Sequence, residues 1–269
     1  MSEYSLDTYS HLGIDTGGTF TDFVLLAKNK ITIHKTLSTP DDPSRAILTG
    51  INDMGLSDAA SNGLLVIVHG STVATNAALE RKGVKTVYVA NKGFKDLLTL
   101  ARQTRPELYN LRPEPIVPPV PETLCLEVDC RVDASGNVLK SLNDADLERL
   151  VEQINTLKPE SVAINLLFSF LDDKHEKKIE SALSDSLFVA RSSFVLPEYK
   201  EYERGIATWL NAWLGPKVDH YLSCLASELE GCSVSMMQSS GGTIAVDQAA
   251  KRTVNLLLSG PAGGLAATH

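Results

Sequence analysis

The sequence predicts a mixed α/β fold. Three observations support this: the order of its short apolar segments, the glycine and proline turns between them, and its composition. Of the 269 residues, 43% are hydrophobic and 22% are charged, which is typical of a chain that folds into a soluble globular structure. This length suggests two folded units. The fold class then follows from the order of the elements.

Three short strands open the chain. They are predicted at residues 12–15, 19–27 and 30–37, and glycine or polar turns at 16–18 and 28–30 separate them. Strands joined by such short turns pair antiparallel. An antiparallel meander is therefore expected.

A helix, a strand, a second helix and a further strand follow. The first helix starts after the proline-rich turn at 39–44, and its apolar face is made by Ala46, Ile47, Ile51 and Met54. Residues 64–70 read as a buried parallel strand, residues 72–83 as a helix that Gly83 stops, and residues 84–90 as another strand. The order β-β-β-α-β-α-β matches a ribonuclease H-like half-domain better than a Rossmann unit, which alternates strand and helix from its start.

A smaller α/β lobe is predicted after a long loop. Residues 91–122 are rich in proline and arginine, and a loop of this length is usually functional or a linker. A hairpin at 123–142, a helix capped by Asn143 and an apolar strand at 161–170 follow, and then a helix through His175. The chain turns helical again near Pro197, and an apolar strand and a glycine-rich turn come last.

The charge and the cysteines narrow the class of protein. A formal net charge of -8 disfavours nucleic acid and anionic membranes as partners, because such partners are recruited by basic surfaces. Cys125, Cys130, Cys224 and Cys232 show neither zinc-site spacing nor a disulfide framework. The N-terminus lacks the features of a signal peptide, and no segment approaches the length of a membrane span. A cytoplasmic protein is expected.

The first candidate site is the segment from Asp15 to Asp22, which contains Thr16, Gly17, Gly18, Thr19 and Thr21. The glycines let several amides approach one anion, and period-two geometry is expected to put Thr19 and Thr21 on one face. Asp15 and Asp22 are the predicted ligands of a Mg²⁺ ion that neutralises phosphate charge. A triphosphate is the expected ligand, and an ordinary hairpin turn is the alternative.

The second candidate site lies where the strand at 64–70 meets the next helix. His69 and Asn76 are predicted to be catalytic together with Asp15, and Ser71 and Thr72 to contact substrate, since the ends of parallel strands are where α/β proteins bind ligands. Alternatively, Ser71 caps the helix and His69 is a packed, hydrogen-bonded core residue.

Two weaker groups complete the predicted site. A glycine turn with Gly260, Gly263 and Gly264 enters a helix and is a further candidate for nucleotide binding. Arg102, Arg105 and Arg204 are predicted to bind a substrate carboxylate, although surface ion pairing is the alternative.

Five segments in this order resemble the N-terminal part of hydantoinase A, 5-oxoprolinase and acetone carboxylase subunits: GIDTGGTFTD, HGSTVATNAALERKG, RQTRPELY, PEYKEYERG and SGPAGG. The resemblance covers nearly the whole chain. It implies an actin-like ATPase fold, in which ATP lies between two ribonuclease H-like halves, and residues 15–22 match the first phosphate loop. Relatives commonly show threonine where this chain has Ser71, a change that keeps the hydroxyl.

The resemblance also implies the domains and the extent of the site. It implies an N-terminal hydantoinase A domain at residues 1–190, which includes the inserted lobe, and the incomplete start of the main domain at 191–269. A second phosphate loop is expected beyond residue 264. Because the sequence ends at His269, this chain is expected to be C-terminally truncated, to hold part of the ATP site and to be inactive alone.

The implied chemistry is ATP-dependent opening of a cyclic amide such as a hydantoin or 5-oxoproline. Phosphorylation would activate an unreactive carbonyl oxygen, with Mg²⁺ or another divalent metal as cofactor. A hydantoinase B-type subunit or a fused C-terminal region is the expected partner. The alternatives are an acetone-carboxylase-like ligase subunit and a non-catalytic nucleotide-binding module.

Overall fold

A computed structural model describes residues 10–28, 30–39, 41–104, 109–112 and 117–260. It divides the chain into two compact units. The first comprises Met1–Lys82 and Lys217–His269, and the second comprises Gly83–Pro216. Three predicted site residues, Arg105, Gly263 and Gly264, lie outside the described residues.

The described residues form strands, helices and two 3₁₀ turns. The strands are β1 (Ser10–Thr16), β2 (Phe20–Ala27), β3 (Lys30–Leu37), β4 (Leu65–Ser71), β5 (Thr86–Asn91), β6 (Cys125–Val128), β7 (Arg131–Val132), β8 (Val138–Lys140), β9 (Ser161–Asn165), β10 (Phe188–Arg191), β11 (Ser233–Met237) and β12 (Thr243–Ala245). The helices are α1 (Pro43–Asp53), α2 (Ser57–Ser61), α3 (Val73–Leu79), α4 (Leu97–Leu100), α5 (Asp144–Leu157), α6 (Lys174–Ala182), α7 (Ser192–Val195), α8 (Glu201–Glu228) and α9 (Val246–Lys251). The 3₁₀ turns are Glu122–Leu124 and Thr253–Leu256. None of the helices in this described part of the chain is long and apolar enough to cross a membrane.

The first unit is built on a six-stranded sheet with the order β12-β11-β4-β1-β2-β3. The strands β1, β2 and β3 form the predicted antiparallel meander, β4 runs parallel to β1, and β11 runs parallel to β4. Three antiparallel strands followed by two parallel strands are the arrangement predicted for a ribonuclease H-like half-domain. The predicted fold order is therefore present in this sheet.

The source of the last parallel strand differs from the prediction. The strand expected at 84–90 is present as β5, but it pairs with β6 and β9 in the second unit. Its place beside β4 is taken by β11, which comes after the whole second unit in sequence. All six residues of β5 are buried, and such an apolar run predicts a central strand without identifying its neighbours.

The core of the first unit lies between one face of this sheet and its helices. Leu12, Ile14 and Phe23 are buried on the sheet, and Ala46, Ile47 and Ile51 bury the predicted apolar face of α1. On the opposite face of β2 and β3, three cross-strand apolar pairs remain exposed: Phe20 with Leu37, Val24 with Ile33, and Leu26 with Ile31. The meander thus has one buried and one open face.

The second unit has a parallel four-stranded sheet of order β10-β9-β5-β6. The hairpin predicted at 123–142 is only partly correct, because β6 joins this sheet and the hairpin consists of β7 and β8 alone. The predicted cap of α5 is confirmed, since the Asn143 side chain accepts a hydrogen bond from the amide of Asp146 at 2.8 Å.

The role predicted for Gly83 is wrong. Helix α3 ends at Leu79, and Arg81 adopts the left-handed conformation after it. A Cβ atom on Gly83 would lie 1.9 Å from the Trp213 ring. Glycine is therefore required at this position by close packing in the second unit, and not by a helix end.

Candidate functional site

The glycine turn between β1 and β2 is open to solvent. The amide of Gly17 closes the turn by donating to the carbonyl of Phe20 at 3.0 Å. Gly18 and Thr19 are exposed, and their amides donate to no acceptor among the residues that the structure describes. Two adjacent unpaired amides at a glycine turn suit an anion.

The hydroxyl groups around this turn differ in environment. Thr21 is fully buried on the core face, and its Oγ1 lies 3.0 Å from Oγ of Ser38, which donates to the carbonyl of Gly17 at 2.8 Å. Thr19 lies before the start of β2 and is exposed, so the predicted sharing of one face by Thr19 and Thr21 is not found. Thr16 is buried, and its Oγ1 has no hydrogen-bond partner among the described residues.

Asp15 and Asp22 are paired across β1 and β2, on the sheet face opposite Thr16 and Thr21. Desolvation raises the pKa of Asp15, and the negative charge of Asp22 raises it further. Asp22 forms an ion pair with Nζ of Lys35 at 2.8 Å. Two neighbouring carboxylates, one of them with a raised pKa, are a donor set that fits Mg²⁺, which commonly takes one or two carboxylates together with phosphate and water oxygens. Within the described residues, no group of three or more possible metal ligands occurs.

His69 lies at the end of β4 and is completely buried. Its Nδ1 lies 3.3 Å from the carbonyl of Ile14, and its Nε2 lies 2.5 Å from the hydroxyl of Tyr221. A carbonyl can only accept, so Nδ1 carries the proton and Nε2 accepts from Tyr221. Burial lowers the pKa of His69 to about 4, which keeps the ring neutral at pH 7.

The residues that follow His69 are bonded to the glycine turn. Both the amide and the hydroxyl of Thr72 donate to the carbonyl of Thr16, at 3.1 and 3.0 Å. Asn76 donates to the hydroxyl of Thr72 at 3.2 Å, and its Nδ2 would be 3.9 Å from a Cβ atom on Gly18. The structure thus brings together the two segments that the sequence singled out separately. Ser71 accepts from the amide of Val73 at 3.2 Å, but the N-cap position of α3 is occupied by Thr72, whose side chain makes no capping hydrogen bond.

The start of the last glycine segment reaches the same place. Ser259 donates to the carbonyl of Ser71 at 3.3 Å, and the amide of Leu258 donates to Oγ1 of Thr75 at 3.1 Å. Gly260 has open space where a Cβ atom would lie.

A cavity of about 610 Å³ lies beside the glycine turn. It is lined by the predicted residues Thr16, Gly17, Gly18, Thr72 and Asn76. Residues that sequence reasoning missed also line it, among them Ser38, Asp41, Asp42, Glu80, Lys82, Lys217, His220, Tyr221 and Cys224. The missed residues on α8 had no sequence signal, because they are far from the turn along the chain. Another cavity, of about 580 Å³, follows α5 and is lined by side chains such as Leu147, Val151 and Glu152, which do not suit an anion.

The charges that line the larger cavity are partly engaged. Lys82 pairs with Glu80 at 2.6 Å, Asp41 pairs with Arg45 at 2.7 Å, and Asp42 caps α1. Lys217 is exposed on α8. Three carboxylates and two lysines thus line the cavity, so the feature that suits an anion is the unpaired amide at the glycine turn and not the net charge.

The described predicted arginines belong to the second unit. Arg204 is buried and donates to the carbonyls of Leu166 and Glu198 at 2.7 and 2.8 Å and to Oδ1 of Asn165 at 3.1 Å. Its guanidinium also lies 5.3 Å from the centre of the Phe170 ring. Arg102 is exposed and forms an ion pair with Glu203.

Comparison with known proteins identifies the family of the chain. The family model for the hydantoinase/oxoprolinase N-terminal region matches residues 11–187, and the model for hydantoinase/oxoprolinase matches residues 204–269. The chain belongs to the hydantoinase/oxoprolinase family. The predicted resemblance is confirmed.

Two relatives show how much of a family member this chain represents. The caprolactamase subunit alpha of Pseudomonas jessenii is 30% identical over 269 residues, with 93% of this chain and 38% of the relative covered. The 5-oxoprolinase 1 of Arabidopsis thaliana is 31% identical over 289 residues, with 94% and 23% covered. The chain therefore spans less than two fifths of either hydantoinase/oxoprolinase relative.

Solved structures confirm the predicted actin-like ATPase fold. The crystal structure of the ATP-dependent caprolactamase from Pseudomonas jessenii superposes with a TM-score of 0.80 at 30% identity and covers 94% of this chain and 39% of its own. The nucleotide-free acetone carboxylase superposes with a TM-score of 0.83, covering 96% and 40%, and at 24% identity it shows the shared fold alone.

Proposed function

We propose that the turn between β1 and β2 binds the polyphosphate of ATP, and that this hydantoinase/oxoprolinase chain belongs to an enzyme that uses ATP to open a cyclic amide. One observation carries the proposal: Gly18, whose amide is unpaired among the described residues, lines a cavity together with Thr16, whose hydroxyl has no partner there, and the unpaired amide of Thr19 follows directly in the turn. An unpaired buried hydroxyl costs stability, and a bound anion would satisfy it. Two similar proteins are named ATP-dependent caprolactamase and 5-oxoprolinase, and these names support the proposed use of ATP on a cyclic amide.

The residues of the first unit divide into two groups. Thr16, Gly18 and Thr19 would bind phosphate oxygens, Gly17 would form the tight turn that lets the phosphate approach them, and Thr21 holds the turn through Ser38. Asp15 and Asp22 would hold Mg²⁺, which when bound supplies positive charge that neutralises the transferring phosphoryl group. Binding of a cation would also relieve the repulsion that raises the pKa of Asp15.

The segment after β4 would position the reacting groups. Asn76 is held by Thr72 close to Gly18, where its amide can reach a phosphate oxygen or the substrate carbonyl. Ser71 and Thr72 would contact substrate, and Gly260, Gly263 and Gly264 would contact nucleotide. His69 is buried and neutral, so we assign it a positioning role in place of acid–base catalysis.

The chemistry follows from the difficulty of amide hydrolysis. The amide nitrogen lone pair stabilises the carbonyl, so attack by water is slow until the oxygen is activated. ATP supplies a phosphoryl group for this activation, and oriented amides and a cation stabilise the charge that moves during its transfer. We propose that Arg102, whose exposed ion pair with Glu203 can exchange, binds a substrate carboxylate, whereas the buried Arg204 stabilises the second unit.

A substrate panel tests the proposed function. Phosphate release from ATP would be measured for a polypeptide that contains this chain, together with a hydantoinase B-type partner, in the presence of 5-oxoproline, ε-caprolactam or hydantoin. A lactam or hydantoin is expected to stimulate release, and Gly18→Val should abolish it. Stimulation only by acetone with bicarbonate would replace the hydrolase with a ligase. ATP binding without stimulation by any of these compounds would indicate a non-catalytic module.

A further inference from the structure

Tyr221 connects three elements that meet at the proposed phosphate site. It lies on α8, is 7% exposed, and its hydroxyl donates to Nε2 of His69 at 2.5 Å. His69 in turn donates from Nδ1 to the carbonyl of Ile14 on β1. A hydrogen-bonded chain therefore runs from α8 through β4 to β1.

The chain of hydrogen bonds ends at both predicted loops. Ile14 immediately precedes Asp15, and His69 lies two residues before Ser71. Tyr221 also lines the cavity beside the glycine turn. Displacement of the Tyr221 ring would therefore move the ends of both β1 and β4.

The same side of α8 faces the cavity. Lys217 is four residues before Tyr221 and Cys224 is three residues after it, so the three side chains share one helical face. All three line the cavity. The position of this helical face determines where the charge of Lys217 lies.

We infer that Tyr221 is a positioning residue of the phosphate site, whose bond to His69 holds the Lys217-bearing face of α8 against the ends of β1 and β4. This inference rests on the proposed function for its effect on ATP, but not for its effect on the loops. A hydroxyl bonded to a buried neutral imidazole has a single favourable orientation, because the protonated Nδ1 leaves Nε2 as the acceptor. The bond therefore fixes the helix in register with the strand ends.

Tyr221→Phe tests the inference, and Tyr88→Phe is the matched control. Tyr88 is also fully buried and also loses one side-chain bond, to Asn165 at 2.9 Å, but it belongs to the second unit. Nitrogen-15 spectra of each variant would report the His69 ring and the amides of Gly18, Thr19 and Thr72. Calorimetry with Mg-ATP would report binding.

Tyr221→Phe is expected to shift the His69 Nε2 resonance and all three loop amides and to weaken Mg-ATP binding about tenfold. Tyr88→Phe is expected to lower the melting temperature about as much as Tyr221→Phe does. It should neither shift the His69 and loop resonances nor weaken Mg-ATP binding. Unchanged loop amides in Tyr221→Phe, or equal changes in both variants, would overturn the inference. Failure of the wild-type chain to bind Mg-ATP, with the loop amides still shifted by Tyr221→Phe, would instead refute the proposed function and leave the positioning role supported.

Discussion

The hydroxyl of Thr72 donates a hydrogen bond to the carbonyl of Thr16 at 3.0 Å, and this bond joins the two loops that make the proposed ATP site. Thr72→Val keeps the shape of the side chain and removes this bond together with the acceptor of the Asn76 side chain. We expect it to lower the free energy of unfolding by about 1 kcal/mol and to weaken ATP binding, because the glycine turn loses a support. Thr72→Ser keeps the hydroxyl and should change neither quantity. Chemical denaturation and calorimetry measure them, and equal behaviour of the two variants would contradict the proposed link.

Because the ring of His69 is buried, we expect the stability of the folded chain to depend on pH. The pKa of its buried ring is lowered to about 4 from 6.5, so between these values the unfolded chain takes up a proton that the folded chain does not. The stability associated with the neutral ring is present above pH 6.5 and is lost as the pH falls towards 4, by about 3 kcal/mol at most.

Denaturation curves between pH 7 and pH 4.5 test this dependence. His69→Gln lacks the titrating ring and should be less stable at pH 7, but its stability should fall less steeply with pH. All other residues are the same in both proteins, so their contributions cancel in the comparison. Parallel curves for wild type and variant would show that His69 is not buried in its neutral form.

Asp15→Asn should separate folding from function. The pKa of Asp15 is raised by desolvation and by Asp22, so ionisation of this carboxylate costs more free energy in the folded chain than in the unfolded chain. Its replacement by a neutral amide should leave the melting temperature the same or higher, while ATP binding should no longer respond to Mg²⁺. Asp58→Asn, an exposed substitution on α2, is the control and should keep the Mg²⁺ response. A strong loss of stability in Asp15→Asn would contradict this electrostatic account.

Gly83→Ala tests whether close packing against Trp213 requires glycine at this position. The added methyl group would meet the Trp213 ring, so we expect a loss of about 1–3 kcal/mol in the free energy of unfolding, despite the lower backbone entropy that alanine brings to the unfolded chain. At Gly13 the nearest atom to an added Cβ is 3.7 Å away, and alanine there should change stability by less than about 1 kcal/mol. Similar effects at both positions would indicate that the Trp213 ring moves freely.

The sequence predicts those parts of the site that depend on neighbouring residues. The turn at Gly17 and Gly18 follows from local glycine geometry, and the cap at Asn143 follows from the preference of short polar side chains for helix starts. The fold order followed from the spacing of apolar segments. Such patterns are short-range, so one sequence is enough to recognise them.

The contacts that the sequence did not predict join residues that are far apart along the chain. The bond between His69 and Tyr221 joins residues 152 positions apart, and no sequence pattern near either residue predicts it. The apolar run of β5 predicted a buried strand correctly, but its sequence does not show that β5 pairs within the second unit while β11 pairs with β4. Gly83 was predicted to end a helix because the sequence does not show that it packs against the Trp213 ring, a contact that forms only in the tertiary structure.

The most direct test is a titration of this 269-residue chain with Mg-ATP, followed through the backbone amides of Gly18 and Thr19. The account predicts that these two amides shift progressively and that Thr72 shifts with them. Binding should be weak, with a Kd on the order of 0.1–1 mM, since the chain spans only 38% of the caprolactamase subunit that it resembles. Submicromolar binding, or binding that leaves both amides unshifted, would contradict the account.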